Sequence, residues 1–259
     1  MKKWTYMLLW AVLLISLPAR GNAHFGLLFP GKDIIEDQSD AHLIVIAAFC
    51  HPFELGGMDL ALPNKFGVFV HNDNHTLKKD LKQTTFLGHK SWRLDYRIKR
   101  PGDHIFYMIP APYWEQMEEK YIQHVTKVIV NAYGLEDHWD KPVGLPAEIV
   151  PLTRPYGLWA GNTFCARVLF DGKPGVNVEV EIERLNNSSP RLKAPKGAFV
   201  TQVLKTNHQG EFCYTMPVSG WWGFSALLEK ENALKHNGKP VPLEVGAVMW
   251  IRAAQLTEE

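Results

Sequence analysis

A predominantly apolar run from Trp4 to Leu17, led by Lys2 and Lys3, opens the chain, and no later run matches it. Charged start, apolar middle and small residues at Gly21 and Ala23 predict a secretory signal over residues 1–23, cut before His24. After it the pattern shortens. Residues 41–49 are apolar apart from His42 and read as a buried strand. Pro52 stops that strand, so His51 and Glu54 fall at its end or in the loop that follows. Residues 66–71 form a short strand, and 92–98 alternate in a half-buried one. A turn at 100–103 leads to a return strand over 104–109, an antiparallel meander. The run 121–133 is rich in Val and Ile and puts His124 on one face with Ile122, Thr126, Val128 and Val130.

A proline-punctuated connector, 134–155, separates this half from the next. Strands are expected at 163–170, 176–182, 199–205, 211–216, 222–228 and 247–254, with loops at 186–196 and 231–240. No helical period is convincing. The expectation is an all-β protein of two β-sandwich-like domains, residues 24–150 and 151–259. Trp221 and Trp222 are expected in a core or between the domains.

Composition narrows the function. The formal net charge is +1 and turns slightly negative once Lys2, Lys3 and Arg20 leave with the signal. Nucleic-acid binding, which needs a strong positive field, is not expected. No second apolar run could span a bilayer, so the mature chain is expected to be soluble in the periplasm. Three cysteines are too few for a disulfide scaffold. Cys165 and Cys213 could pair if their strands are neighbours, leaving Cys50 as a ligand or a buried apolar residue.

Candidate chemistry starts at His24. Cleavage before it would free an amine on the same residue as an imidazole, and the two could chelate a metal. An α-amine titrates near neutrality, so it yields its proton at modest cost. Eleven histidines are present, and only His208 and His236 lie beyond His138. Nitrogen donors suit nickel, cobalt, copper and zinc, and copper leads on raw affinity. His71 and His75 flank a turn and read as solvent-exposed, His42 and His89 as structural or solvated, and His104 as a reserve ligand. No Gly-x-Ser-x-Gly turn, His-Glu-x-x-His or calcium loop occurs, so the chain is not expected to be an enzyme.

Several separated blocks then fall in a familiar order: Ala23-His24-Phe25-Gly26, His51-Pro52-Phe53-Glu54 with Met58, Lys99-Arg100-Pro101-Gly102-Asp103, and Pro112-Tyr113-Trp114-Glu115. Tyr121-Ile122-Gln123-His124, Trp139-Asp140, Glu148-Ile149-Val150-Pro151-Leu152 and Gly220-Trp221-Trp222-Gly223-Phe224 continue it. Through nearly the whole mature chain the sequence resembles the periplasmic nickel/cobalt-uptake components grouped under domain of unknown function 4198. It is most similar to the NikK-type accessory proteins of energy-coupling-factor (ECF) nickel transporters. The resemblance implies capture of Ni2+ or Co2+ and delivery to the inner-membrane transporter components. It makes His24, His51 and His124 the leading ligands. Glu54, Glu115 and Glu118 follow as ligands or as groups that orient an imidazole, with Met58 an outside soft donor. His71, His75, His104 and Cys50 depart from the pattern. The second half resembles a transthyretin-like or carboxypeptidase-regulatory-like sandwich. A periplasmic copper carrier and a copper enzyme of the histidine-brace type stay open beside the nickel reading, so Cu2+ is a third metal to weigh.

Overall fold

The computed structural model describes residues 24–257; the expected signal and its cut lie outside them. Twenty strands follow in chain order. The first ten are β1 (Phe25–Phe29), β2 (Ile34–Ile35), β3 (His42–His51), β4 (Gly56–Met58), β5 (Lys65–Val70), β6 (Asp73–Thr76), β7 (Lys82–Phe86), β8 (His89–Arg97), β9 (Gly102–Ile109) and β10 (Tyr113–Glu115). The rest are β11 (Lys120–Ala132), β12 (Ala147–Pro151), β13 (Leu158–Trp159), β14 (Thr163–Phe170), β15 (Lys173–Pro174), β16 (Glu179–Arg184), β17 (Gln202–Lys205), β18 (Glu211–Thr215), β19 (Gly220–His236) and β20 (Lys239–Ala254). Only three short 3-10 turns interrupt the strands among the described residues. The protein is all-β and sandwich-like.

The strands form three sheets. A central sheet runs β17-β16-β19-β20-β11-β9-β5-β6. One flanking sheet runs β1-β3-β8-β7, with β4 beside β3. The other runs β12-β14-β15, with β18 beside β14. The period of two splits the central strands between two cores. Ile122, Val128, Val130, Trp221, Val248 and Trp250 face the first flanking sheet. Val125, Ile129, Trp222, Phe224, Met249 and Ile251 face the second. A sheet buried on both faces needs nearly continuous apolar sequence, as residues 245–251 of β20 have. Trp221 and Trp222 are therefore both core residues, on opposite faces.

Three sequence expectations are corrected. The meander over 92–109 does not form: β8 pairs with β3 and β7, whereas β9 pairs with β5 and β11. The turn between them crosses from one sheet to another. It is pinned by the buried carboxylate of Asp103, which accepts from Asn131 Nδ2 and Tyr156 OH at 2.8 Å and from the Asp137 amide at 2.9 Å. Next, 231–240 is not a loop but the far end of the long β19–β20 hairpin. Its two-residue turn is Asn237-Gly238, both with positive φ (48° and 80°), the backbone that matches strand twist. Last, the pairing is not antiparallel throughout. β11 and β20 lie parallel from Tyr121↔Leu243 to Val128↔Trp250. That pair joins strands from either side of residue 150, so one sheet runs through both halves.

Cys165 and Cys213 sit opposite each other on β14 and β18 and form a disulfide. Cys50 is a buried thiol of the first core, its pKa pushed up to about 12 by burial and by Glu183. It behaves as a small apolar residue rather than a ligand.

Candidate functional site

The antiparallel register of β1 and β3 sets Phe25 opposite Cys50, which brings His24 against His51 just outside the ladder. Their ring centroids are 4.5 Å apart. β1 also lies across β11, and the Gly26 amide donates to His124 Nδ1 at 3.3 Å. Phe49 is the shared apolar floor: His24 stacks on it at 5.7 Å, and His124 and Tyr113 meet its ring at 5.6 and 6.0 Å. The β10–β11 hairpin supplies the roof. Glu115 Oε2 is 3.9 Å from His24 Nε2.

His24 is the electrostatic hub. Burial, then the neighbouring imidazoles of His51 and His124, lower its pKa to about 4, against the opposing pull of Glu115 and Glu118. Its imidazole is therefore neutral at pH 7, the state that can coordinate a metal. His51, His124, Glu115 and Glu118 thus lie close enough to act on its charge. Glu54 is not drawn in: it is exposed, and its charge is felt at Glu183. Met58 packs on the first core.

Glu244, which sequence reasoning missed, belongs to the same cluster. Parallel pairing of β11 and β20 sets Ile122 beside Glu244 and His124 beside Gly246. Glu244 Oε1 lies 3.6 Å from His124 Nε2, and Glu244 Oε2 lies 2.6 Å from Lys120 Nζ. Burial works against the Glu244 carboxylate, but His124 and Lys120 outweigh it and pull its pKa down to about 2. Two strands away, Glu181 is raised to about 7 by burial and by the carboxylates of Glu244, Glu179 and Glu118. Only the pairing of distant strands brings these acids together, so no local motif could reveal them.

The other histidines have separate surroundings. His71 Nδ1 and His138 Nδ1 approach Asp137 Oδ2 at 3.5 and 3.1 Å, and buried His104 holds the Gly102 carbonyl at 3.2 Å. His71, His75 and His104 line an open cleft of about 660 Å³ together with Arg97, Lys99 and Arg100. His42 and His89 sit beside Asp95 and Asp59. His236 stacks flat on Trp114 at 3.6 Å and clamps the β10 roof, which corrects its reading as a polar-loop residue. Among the described residues, no three or more His, Cys, Asp or Glu side chains are placed so that together they could hold a metal ion. The residue types gathered there are nonetheless those a nitrogen-preferring ion would use. They combine paired imidazoles, carboxylates beside them, and a buried His124 Nε2 with no hydrogen-bond partner.

The family model described as "Domain of unknown function (DUF4198)" matches residues 21–230. The chain belongs to the DUF4198 family. No curated protein matches it significantly. Among solved structures, it is similar to the D0-D1 domain of intimin at 12% identity, covering 88% of this chain and 99% of that one, with a TM-score of 0.23. A putative carbohydrate binding protein from Bacteroides uniformis gives 13% identity, 86% and 100% coverage and a TM-score of 0.24. Trypsin activated alpha-2-macroglobulin from Escherichia coli gives 12%, 91% and 16%, with a TM-score of 0.23. Scores this low carry no argument about function. What this DUF4198 member does has to be argued from its own site.

Proposed function

We propose that this DUF4198 protein is a periplasmic carrier that captures Ni2+, with Co2+ the next candidate, and passes it to ECF-type transporter components in the inner membrane. The observation that carries the reading is the gathering of His51, His124, Glu115 and Glu118 around His24. Processing before His24 would add its amine to that set and complete an amine–imidazole chelate. The ion is cargo, so the protein binds and releases rather than catalyses. Capture and release would require solvent to reach the cluster, and the His24 and Glu115 side chains keep 15% and 12% exposure.

Calorimetry with Ni2+ on a chain that begins at His24 tests this. One-site binding is expected, lost in His24→Ala and sharply weakened when even one residue precedes His24. Equal affinity of the extended and cut forms would rule out the terminal amine. Binding untouched by His24→Ala would move the site. The close His24–His51 ring pair also suits copper held as a histidine brace. That second reading requires reductant-dependent turnover by the copper-loaded protein, and none is expected if the chain is a carrier.

A further inference from the structure

The cluster already holds a cation of its own. Lys120 Nζ lies 2.6 Å from Glu118 Oε2 and 2.6 Å from Glu244 Oε2, with the lysine side chain 16% exposed. The second oxygen of Glu244 faces His124 Nε2 at 3.6 Å. That nitrogen is buried and makes no hydrogen bond, in a residue only 2% exposed. The gap is too long for a hydrogen bond. The imidazole nitrogen and the carboxylate oxygen thus face each other as a loose pair.

The charges on this face point the same way. Glu181 pairs with Ser225, and Ser225 with Val248 of the first core, so Glu181 and Ser225 look toward the same flanking sheet. Ser225 is fully buried and its hydroxyl is unpartnered. Glu118 and Glu244 hold Lys120 between them, and the Glu181 carboxylate feels the same ammonium. A single ammonium on a flexible stem carries one charge and no coordinating ability. A divalent transition ion carries two and can take the imidazole as well as the carboxylate.

Resting on the metal-capture reading, we propose that Lys120 is a tethered counter-ion: it occupies the Glu118–Glu244 pair in the empty site, and an arriving divalent transition ion displaces its ammonium and takes Glu244 as a donor beside His124. Glu244 is then a binding residue, and Lys120 sets how tightly the site closes and how readily it releases its ion. The opposing view is that Lys120 is only a structural tie between the β10–β11 hairpin and β20. The two views differ in sign. A displaced competitor, once removed, leaves binding tighter; a lost tie leaves it weaker.

Ni2+ calorimetry on the chain beginning at His24 separates them. Lys120→Met is expected to bind about tenfold tighter, because a like charge no longer has to be moved from beside the ion. Lys120→Arg, which keeps the charge, gains nothing. Glu244→Gln is expected to bind about tenfold weaker or worse. If Lys120→Met melts too low to titrate, Lys120→Gln carries the same expectation. Wild-type binding that Lys120→Met and Lys120→Gln leave unchanged or weaken overturns the exchange alone. A wild-type chain that takes up no Ni2+ overturns both the exchange and the capture reading.

Discussion

At the residue scale, His24 is held neutral rather than charged. Its pKa in the folded chain, about 4, lies below its ordinary 6.5, so the unfolded chain takes up the proton first. The stability linked to this group is complete above pH 6.5 and is lost as the pH falls toward 4, by about 3 kcal/mol in all. Urea midpoints at pH 7 and pH 4.5 check it: His24→Ala should lose less between the two than the parent chain does. An identical loss would assign the effect to other groups. The same scale shows why histidine abundance is a poor guide. His71 and His138 are drawn to Asp137, His104 to a carbonyl and His236 to Trp114, so these four of the eleven have partners away from the His24 cluster or hold its roof. The Lys99–Asp103 and Trp139-Asp140 blocks likewise carry structure. Asp103 accepts from the amides of Asp137, His138 and Trp139, which fixes the connector beside the crossing turn.

At the element scale, the placement of His124 depends on β20. A Cβ at Gly246 would lie 2.5 Å from His124 Cδ2 and 2.9 Å from its Nε2. Gly246→Ala should therefore push the imidazole off its position. The expected result is a loss of roughly 1–3 kcal/mol of stability and weaker Ni2+ binding at a preserved fold, read by thermal melt and calorimetry together. Unchanged affinity would show that the site does not depend on where β20 holds this ring. Strand alternation foretold the His124 face correctly. It could not foretell Gly246, because a glycine in a strand reads only as a weak position until a facing ring gives it a purpose. The Asn237-Gly238 turn was legible in principle, but the polar residues flanking it masked a hairpin whose outer half is largely solvent-exposed.

At the scale of the whole molecule, a single sheet is shared by two cores, and its β11–β20 pair ties the two halves of the chain together. Thermal unfolding should then show one transition, with far-UV circular dichroism and tryptophan fluorescence coincident. Two separated transitions would instead show independent units at 24–150 and 151–259. The second core is also tied to the central sheet by a buried pair, Lys127 Nζ to Glu148 Oε1 at 2.7 Å, both 1% exposed. Burial pulls the Lys127 pKa down against the attraction of Glu148. Glu148 further accepts the amides of Val143, Gly144 and Leu145. Glu148→Ala would strand a buried lysine and three amides and is expected to cost about 3–5 kcal/mol. A loss under 1 kcal/mol in denaturant titration would mean that the lysine escapes to water.

The sequence by itself determined the all-β class, most strand positions, the face of His124, the burial of the tryptophan pair and the family. Each rests on local periodicity, turn chemistry or short motifs, which neighbouring residues carry. Only the tertiary structure decided which strands share a sheet, that β11 meets β20 in parallel, and that Glu244, Lys120 and Glu181 stand with the histidines. Those partners lie far apart along the chain, 124 residues in the case of Lys120 and Glu244, and pairing between distant strands depends on how whole sheets bury their faces. No stretch of sequence encodes that alone.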